Sequence, residues 1–370
     1  MKIARTMTLL ILSLIIQGPV YAQDDPVIRG RTVSEWFRLL REESNAQRRL
    51  AILRLIDMEA GPNVPIVLPN FLKEVAVHPD PTVRARIIQA LPRYKDRGEE
   101  IIQTYRSALT RDKESKVREA AAQTIPKLDR TGAILLIPDL GLAVRDAHPD
   151  VRAAAAQTIG ILTQSDKQST VELLSPLEEG LKDSEAAVRF QCAYALSQMG
   201  ELAAPAVSSL AEMFRNDTVI LNRREAAKAI AAIGPKAANA AETLVSGLAD
   251  PQPGIRQAAA LALAQVKGDP ERVLPALLKA ARDSDVSVRC LAIHAIGAFG
   301  KSAVKTIPDL IDILRRDEVA DVRLAAIEEL ANFGPEARAA LDVLKVASKD
   351  GRAAIREAAQ AALKKIESSP

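Results

Sequence analysis

Ten copies of one pattern run almost end to end through this chain, and they can be anchored on Arg48, Arg84, Arg118, Arg152, Arg189, Arg223, Arg256, Arg289, Arg323 and Arg356. Successive gaps are 36, 34, 34, 37, 34, 33, 33, 34 and 33 residues. A near-constant period of this length marks a solenoid, in which each unit buries its apolar face only against its neighbours. Six residues before the anchor stands an aspartate in eight copies: Asp112, Asp146, Asp183, Asp217, Asp250, Asp283, Asp317 and Asp350. Glu42 and His78 fill that slot in the other two.

The residues around each arginine predict a helix. A β-branched residue precedes it in most copies, from Val83 to Ile355, and only Gln47 and Asn222 break the rule. Small or apolar residues follow at positions +3 and +4, as in Ala121-Ala122 and Ala226-Ala227, and a Leu or Ile at +7, from Leu55 to Leu363. Positions −1, +3, +4 and +7 fall on one side of an α-helix and form its core stripe. Upstream, Ile137-Pro138, Leu274-Pro275 and Ile307-Pro308 predict the start of a second helix, because a first turn tolerates a missing N–H. Gly200, Gly234, Gly300 and Gly334, each eleven residues after an anchor, predict a left-handed stop. No window alternates with period two, so no sheet is expected.

These units resemble HEAT repeats, of the short type also found in phycobilin lyase subunits. The Asp-x5-Arg spacing, with Val before the Arg and Ala-Ala after it, carries the likeness over roughly residues 30 to 366. The resemblance implies an all-α, right-handed α-α superhelix of ARM type. It also implies a hydrogen-bonded Asp–Arg ladder between adjacent repeats, a role that falls on Asp112, Arg118, Asp146, Arg152, Asp183, Arg189, Asp217, Arg223, Asp250, Arg256, Asp283, Arg289, Asp317, Arg323, Asp350 and Arg356. A row of arginines could instead track anions, but an aspartate in each unit favours the ladder. With helices stacked ~8–10 Å apart, ten repeats predict one elongated domain on the order of 100 Å long.

Residues 1–22 read as a secretory signal: Lys2 and Arg5 precede an apolar run from Met7 to Ile16, and Val20-Tyr21-Ala22 suits a signal peptidase. The run is short for a membrane span, so an uncleaved anchor is the second reading and a periplasmic or extracellular location the first. Residues 23–31 read as a linker, 32–366 as the solenoid and 367–370 as a frayed tail. Thr32-Val-Ser-Glu35 fits a capping box, and Trp36 is expected to plug the open end of the stack.

Chemistry is scarce. Without Lys2 and Arg5 the chain has 48 basic and 47 acidic residues, which lacks the basic surplus that nucleic acid demands. None of His78, His148 and His294 is followed by Glu, a departure from the iron-binding His-Glu pairs of HEAT-like deoxyhypusine hydroxylases. No H-E-x-x-H, G-x-G-x-x-G or P-loop occurs, so no catalytic residue, metal or cofactor is expected. Cys192 at +3 is a core position and Cys290 at +1 an outer one, three repeats apart, so both should be free thiols.

One set of residues stands out. Positions +1 and +5 should face outward along the concave side, and there the later repeats place Phe190, Tyr194, Leu261, Cys290, His294 and Leu324. Exposed apolar clusters mark contact sites. The alternative is that these side chains pack between neighbouring helices. The expected function is an exported scaffold that binds another protein through its concave face, without a membrane span once the signal is removed. A lyase-like subunit, chaperoning a prosthetic group, is the competing class.

Overall fold

The computed structural model describes residues 25–61, 64–94 and 98–367, so the expected signal at 1–22 and the tip of the tail lie outside the described residues. The chain divides after Lys127 into two compact units.

In the first unit a short antiparallel pair, β1 (Val27–Ile28) and β2 (Arg31–Thr32), precedes helices α1 (Val33–Glu42), α2 (Ala46–Leu55), α3 (Val67–Val77), α4 (Pro81–Ala90), α5 (Gly98–Arg111) and α6 (Ser115–Thr124). The hairpin corrects the expectation of no sheet. Arg29 and Gly30 have φ of 48° and 80°, the signs a two-residue type I′ turn requires, and four paired residues are too few to show alternation in sequence. The capping box is present: Thr32 Oγ1 accepts from the Glu35 N–H, and Glu35 Oε2 accepts from the Thr32 N–H. Trp36 is half-buried, donates from Nε1 to the Ile28 carbonyl at 3.0 Å and carries the Arg31 guanidinium over its ring. It therefore ties the hairpin to α1. Phe37, Phe71 and Tyr94 form an edge-to-face aromatic core, with centroids 5.7 and 5.8 Å apart.

The second unit alternates shorter helices with longer arginine-bearing ones. After α7 (Arg130–Leu135) the former are α8 (Ile137–Ala143), α10 (Leu174–Gly180), α12 (Val207–Asn216), α14 (Ala241–Gly247), α16 (Pro270–Ala280), α18 (Ile307–Arg316) and α20 (Leu341–Ala347). The latter are α9 (Pro149–Ser165), α11 (Ala186–Met199), α13 (Ile220–Ile233), α15 (Pro253–Val266), α17 (Val286–Ala298), α19 (Ala320–Phe333) and α21 (Ala353–Glu367). Each arginine-bearing helix packs on the next and on the shorter helix before it.

The stripe read from the sequence is the core: Val151, Val188, Ile255, Val288 and Val322 have no exposed surface, and neither do Ala155, Ala226 and Ala326. Burying one such valine contributes roughly 1.5–3 kcal/mol, and alanine lets adjacent helices approach closely. Pro138 and Pro308 sit in first helical turns as expected. Pro275 does not. Asp269 caps α16 by accepting from the Glu271 N–H, so the helix begins at Pro270 and Pro275 lies inside it.

The glycine stops also differ from expectation in detail. Gly200, Gly234 and Gly334 have φ of 60–70° but ψ of −131° to −141°, a region open only to glycine and distinct from the left-handed helix. Each opens a 3₁₀ stretch that leads into the next short helix, such as Gly200–Ala206 and Gly234–Ala240.

Candidate functional site

The ladder arginines sit in the first turn of their helices, where the six-residue spacing places the guanidinium beside the loop just crossed. Arg256 is typical. Its Nη1 donates to the backbone carbonyl of Asp250 in its own repeat at 2.8 Å, while Nε and Nη2 donate at 2.8 and 2.7 Å to the carboxylate of Asp283 in the following repeat. Arg152 and Arg189 bind Asp183 and Asp217 in the same bidentate way, and Arg84 binds Asp112 in the first unit. Arg289 reaches Asp317 at 2.9 Å, and Arg323 reaches Asp350 at 3.6 Å. Arg118 and Arg356 donate to the Asp112 and Asp350 carbonyls.

Asp112, Asp183, Asp250, Asp283 and Asp317 thus each serve two repeats: the carbonyl holds its own arginine, and the carboxylate holds the arginine of the repeat before. The carboxylate also accepts an N–H two residues on, as Asp283 does from Asp285, Asp250 from Gln252 and Asp146 from His148. Burial opposes ionisation of Asp183, Asp217 and Asp283, but the guanidinium and N–H donors outweigh it and hold these carboxyls below their ordinary range. Their bidentate partners Arg152, Arg189 and Arg256 are shifted upward by the same hydrogen bonds.

Three repeats depart from the pattern. In the first, the ladder residue is Arg49 and not Arg48: Arg49 donates to the Glu43 carbonyl at 2.7 Å and to Asp80 at 2.9 Å, whereas the Arg48 side chain is 76% exposed. The register is set by Ile56, which is fully buried at +7 from Arg49. In the second, the carboxylate has moved two residues to Asp80, and His78 Nδ1 accepts the Asp80 N–H in place of the usual aspartate. In the sixth, Asn222 replaces the β-branched residue and donates to Asp217, and Arg223 turns to the Phe214 carbonyl and Asp250.

The +1 and +5 residues lie on consecutive helices: Phe190 and Tyr194 on α11, Leu261 on α15, Cys290 and His294 on α17, and Leu324 on α19. Leu261 is 52% exposed and His294 is also exposed, while Phe190, Tyr194, Cys290 and Leu324 are half-buried. None belongs to the closed core. The Tyr194 ring packs where a Cβ on Gly160 would meet it at 2.7 Å, its hydroxyl accepts from Gln164 at 2.8 Å, and the Lys228 ammonium lies 5.6 Å from its centroid. Packing between helices thus describes part of Tyr194 and little of Leu261.

His294 has a partner that sequence reasoning missed. Its Nδ1 lies 2.8 Å from Oε1 of Glu329, which is buried on α19 and also accepts from Asn332. The hydrogen bond to Glu329 raises the imidazole pKa against the opposing effect of burial. A signal did exist: position +6 is Ala or Thr in the other repeats from Ala90 to Ala362, and Glu329 interrupts that column. Gly297 makes the room, since a Cβ there would overlap the Glu329 carboxylate.

Both cysteines are free. Cys192 is buried and Cys290 half-buried, and desolvation pushes each thiol upward, against the formation of a reactive thiolate. Among the described residues no three His, Cys, Asp or Glu side chains are grouped to hold a metal. No described helix is long and apolar enough to cross a membrane.

No curated protein matches the sequence. Among solved structures the chain is similar to an engineered protein from a structural genomics consortium, at 19% identity and a TM-score of 0.59 over 91% of this chain and 99% of that one. It is also similar to the karyopherin Kap121p bound to the extreme C-terminus of the protein phosphatase Cdc14p, at 14% identity and TM-score 0.57, covering 98% of this chain and 44% of that one. Kap95p, from a structure concerned with the switch loops of RanGDP, matches at 13% identity and TM-score 0.59, covering 90% and 50%. The chain thus spans half or less of the karyopherins it resembles, and at these identities the likeness speaks for the fold. The family model described as HEAT repeats matches residues 68–135, 137–231, 207–297 and 307–370. With the Asp–Arg ladder and the paired helices, that match places the chain in the HEAT-repeat family.

Proposed function

We propose that this protein is an exported, non-enzymatic scaffold that captures another protein on the face formed by the +1 and +5 positions of α11 to α19, the concave side of such a superhelix. The exposure of Leu261, 52% at a position where glutamine or lysine would serve solubility, carries the reading. Similar solenoids, including the karyopherin bound to the Cdc14p C-terminus, hold protein segments. Export rests on the sequence of residues 1–22 alone.

The test compares the intact protein with Leu261→Glu and with Leu202→Glu, an apolar residue 38% exposed in the 3₁₀ stretch that follows α11 and outside the +1 and +5 positions. Proteins captured from the envelope and secreted fractions are identified by mass spectrometry. The expected result is a defined set lost only in Leu261→Glu, with helicity unchanged. Identical capture by all three refutes the site. Intact mass should give a mature chain starting at Gln23, and retention of Met1 on a cytoplasmic species refutes export. A stoichiometric chromophore or metal in the purified protein would favour the lyase-like reading instead.

A further inference from the structure

We infer that the segment bound on this face is an extended, acidic and apolar peptide, its carboxylates meeting Arg224 and Lys228 and its apolar side chains seated against Leu261 and the edges of Phe190 and Tyr194. The inference rests on the face proposed above and adds the chemistry of its occupant.

Charge carries it. Along α9, α11, α13, α15 and α17, which pack consecutively, positions +1, +5 and +9 hold no carboxylate, in a chain with 47 acidic residues. The fixed cations on these positions are both on the middle helix: Arg224 at +1 and Lys228 at +5, one turn apart. Arg224 is exposed and forms no ion pair among the described residues. The Arg224 side chain passes over Gly254 on α15, where a Cβ would lie 3.7 Å from the Arg224 Cδ, in ordinary van der Waals contact.

Lys228 is 3.1 Å from Glu225, whose side chain is 11% exposed, so the carboxylate is withdrawn while the ammonium stays in solvent beside the Tyr194 ring. Asp285, at the start of α17, already accepts from Gln257 and the Val288 N–H. Beyond α17 the same positions change sign, with Glu328 and Glu357 on α19 and α21. The cations are therefore confined to the part of the face that also presents the two rings and the exposed leucine.

Two cations one turn apart favour carboxylates spaced on an extended strand, and a flanking leucine and aromatic edges favour apolar residues between them. A purely electrostatic site would gain nothing from Leu261.

The test uses the full-length mature protein and fluorescein-labelled peptides in an anisotropy titration: alternating Glu and Leu, alternating Lys and Leu, and alternating Glu and Ser. The Glu/Leu peptide should bind at least ten times more tightly than the other two. Arg224→Glu should weaken it tenfold or more, and Leu261→Ser severalfold, both at unchanged circular dichroism. If the Glu/Ser peptide or a single-stranded oligonucleotide binds as well as Glu/Leu, the site is a plain anion site and the inference fails. A preference for Lys/Leu that still depends on Leu261 overturns the charge assignment and leaves the face standing. Indifference of every peptide to Leu261 removes the face as well.

Discussion

Removing one carboxylate from the ladder, by Asp283→Ala, tests how far the repeats are held by polar contacts in addition to the alanine-rich core. Asp283 accepts from Nε and Nη2 of Arg256 at 2.8 and 2.7 Å and from the Asp285 N–H at 2.8 Å, and the two side chains are 13% and 12% exposed. Truncation strands two guanidinium donors at a nearly dry interface, but Arg256 keeps its bond to the Asp250 carbonyl and some solvent access. The loss of the charged pair is therefore about 2 kcal/mol, within the range for hydrogen bonds to charged groups and below that for a fully buried pair. The Asp285 N–H, left without its acceptor, adds about 1 kcal/mol. Asp283→Asn keeps an acceptor for that N–H and should recover about 1 kcal/mol of the total.

Asp350→Ala is the internal comparison, because Arg323 lies 3.6 Å from Asp350 and that carboxylate is 27% exposed. An exposed pair contributes ~0–1 kcal/mol, so its loss should cost about half as much. Repeat arrays depart from two-state unfolding, so the free energies should be read by native-state hydrogen exchange, at amides of α15 and α17 for Asp283 and of α19 and α21 for Asp350. The reasoning fails if Asp283→Ala costs under about 1 kcal/mol, or if Asp350→Ala costs as much.

Lys267 has φ of 66° and ψ of −71° where other repeats place glycine, and the Gly268 N–H closes a three-residue turn on the Val266 carbonyl, so Lys267→Gly should stabilise the protein by ~1–2 kcal/mol; an unchanged or lower melting temperature in thermal unfolding would show the turn is unstrained. Gly297→Ala should displace the Glu329 carboxylate and return His294 toward its ordinary pKa, which a histidine NMR titration reads; no change would mean the pair is not what raises it. Because His294 is raised in the fold, its pairing is fully present below about pH 6.5 and is lost as pH rises through the folded value. For Asp183, Asp217 and Asp283 the sign reverses: their contribution is present above about pH 3.9 and is lost as pH falls through their depressed folded values, so urea midpoints that stay flat down to pH 2 would contradict the ladder's ionised state.

The repeat, the paired helices and the core stripe were legible in sequence because each follows from a helical period repeated many times. The first anchor was not, since Arg48 and Arg49 are adjacent and only the burial of Ile56 decides between them. The hairpin at Val27–Thr32 rests on a turn conformation of Arg29 that no pattern announces. In the candidate site, the +1 and +5 positions could be read off the helix, but the degree of exposure could not. It depends on what the neighbouring helix offers: Gly160 receives part of Tyr194, and nothing comparable covers Leu261. Glu329 was legible in principle, as an acid in a column of small residues, and its glycine counterpart lies one repeat back.

The sixth repeat shows why arginine alone says little in such a chain. Arg223 and Arg224 are neighbours on α13, yet Arg223 is 17% exposed and held by the Phe214 carbonyl and Asp250, while Arg224 stands in solvent over Gly254. A helix turns about 100° per residue, which is enough to put one guanidinium into the seam between repeats and the other on the open face. The seam position is fixed by geometry, because a side chain there must meet a backbone carbonyl of its own repeat and a carboxylate one repeat ahead. The face position carries no such requirement, so its charge is free to match whatever binds. Arg223→Lys should therefore loosen the stack, since a lysine cannot reproduce the two-directional fork, whereas Arg224→Lys should leave the stack intact and retain part of the affinity for an acidic segment.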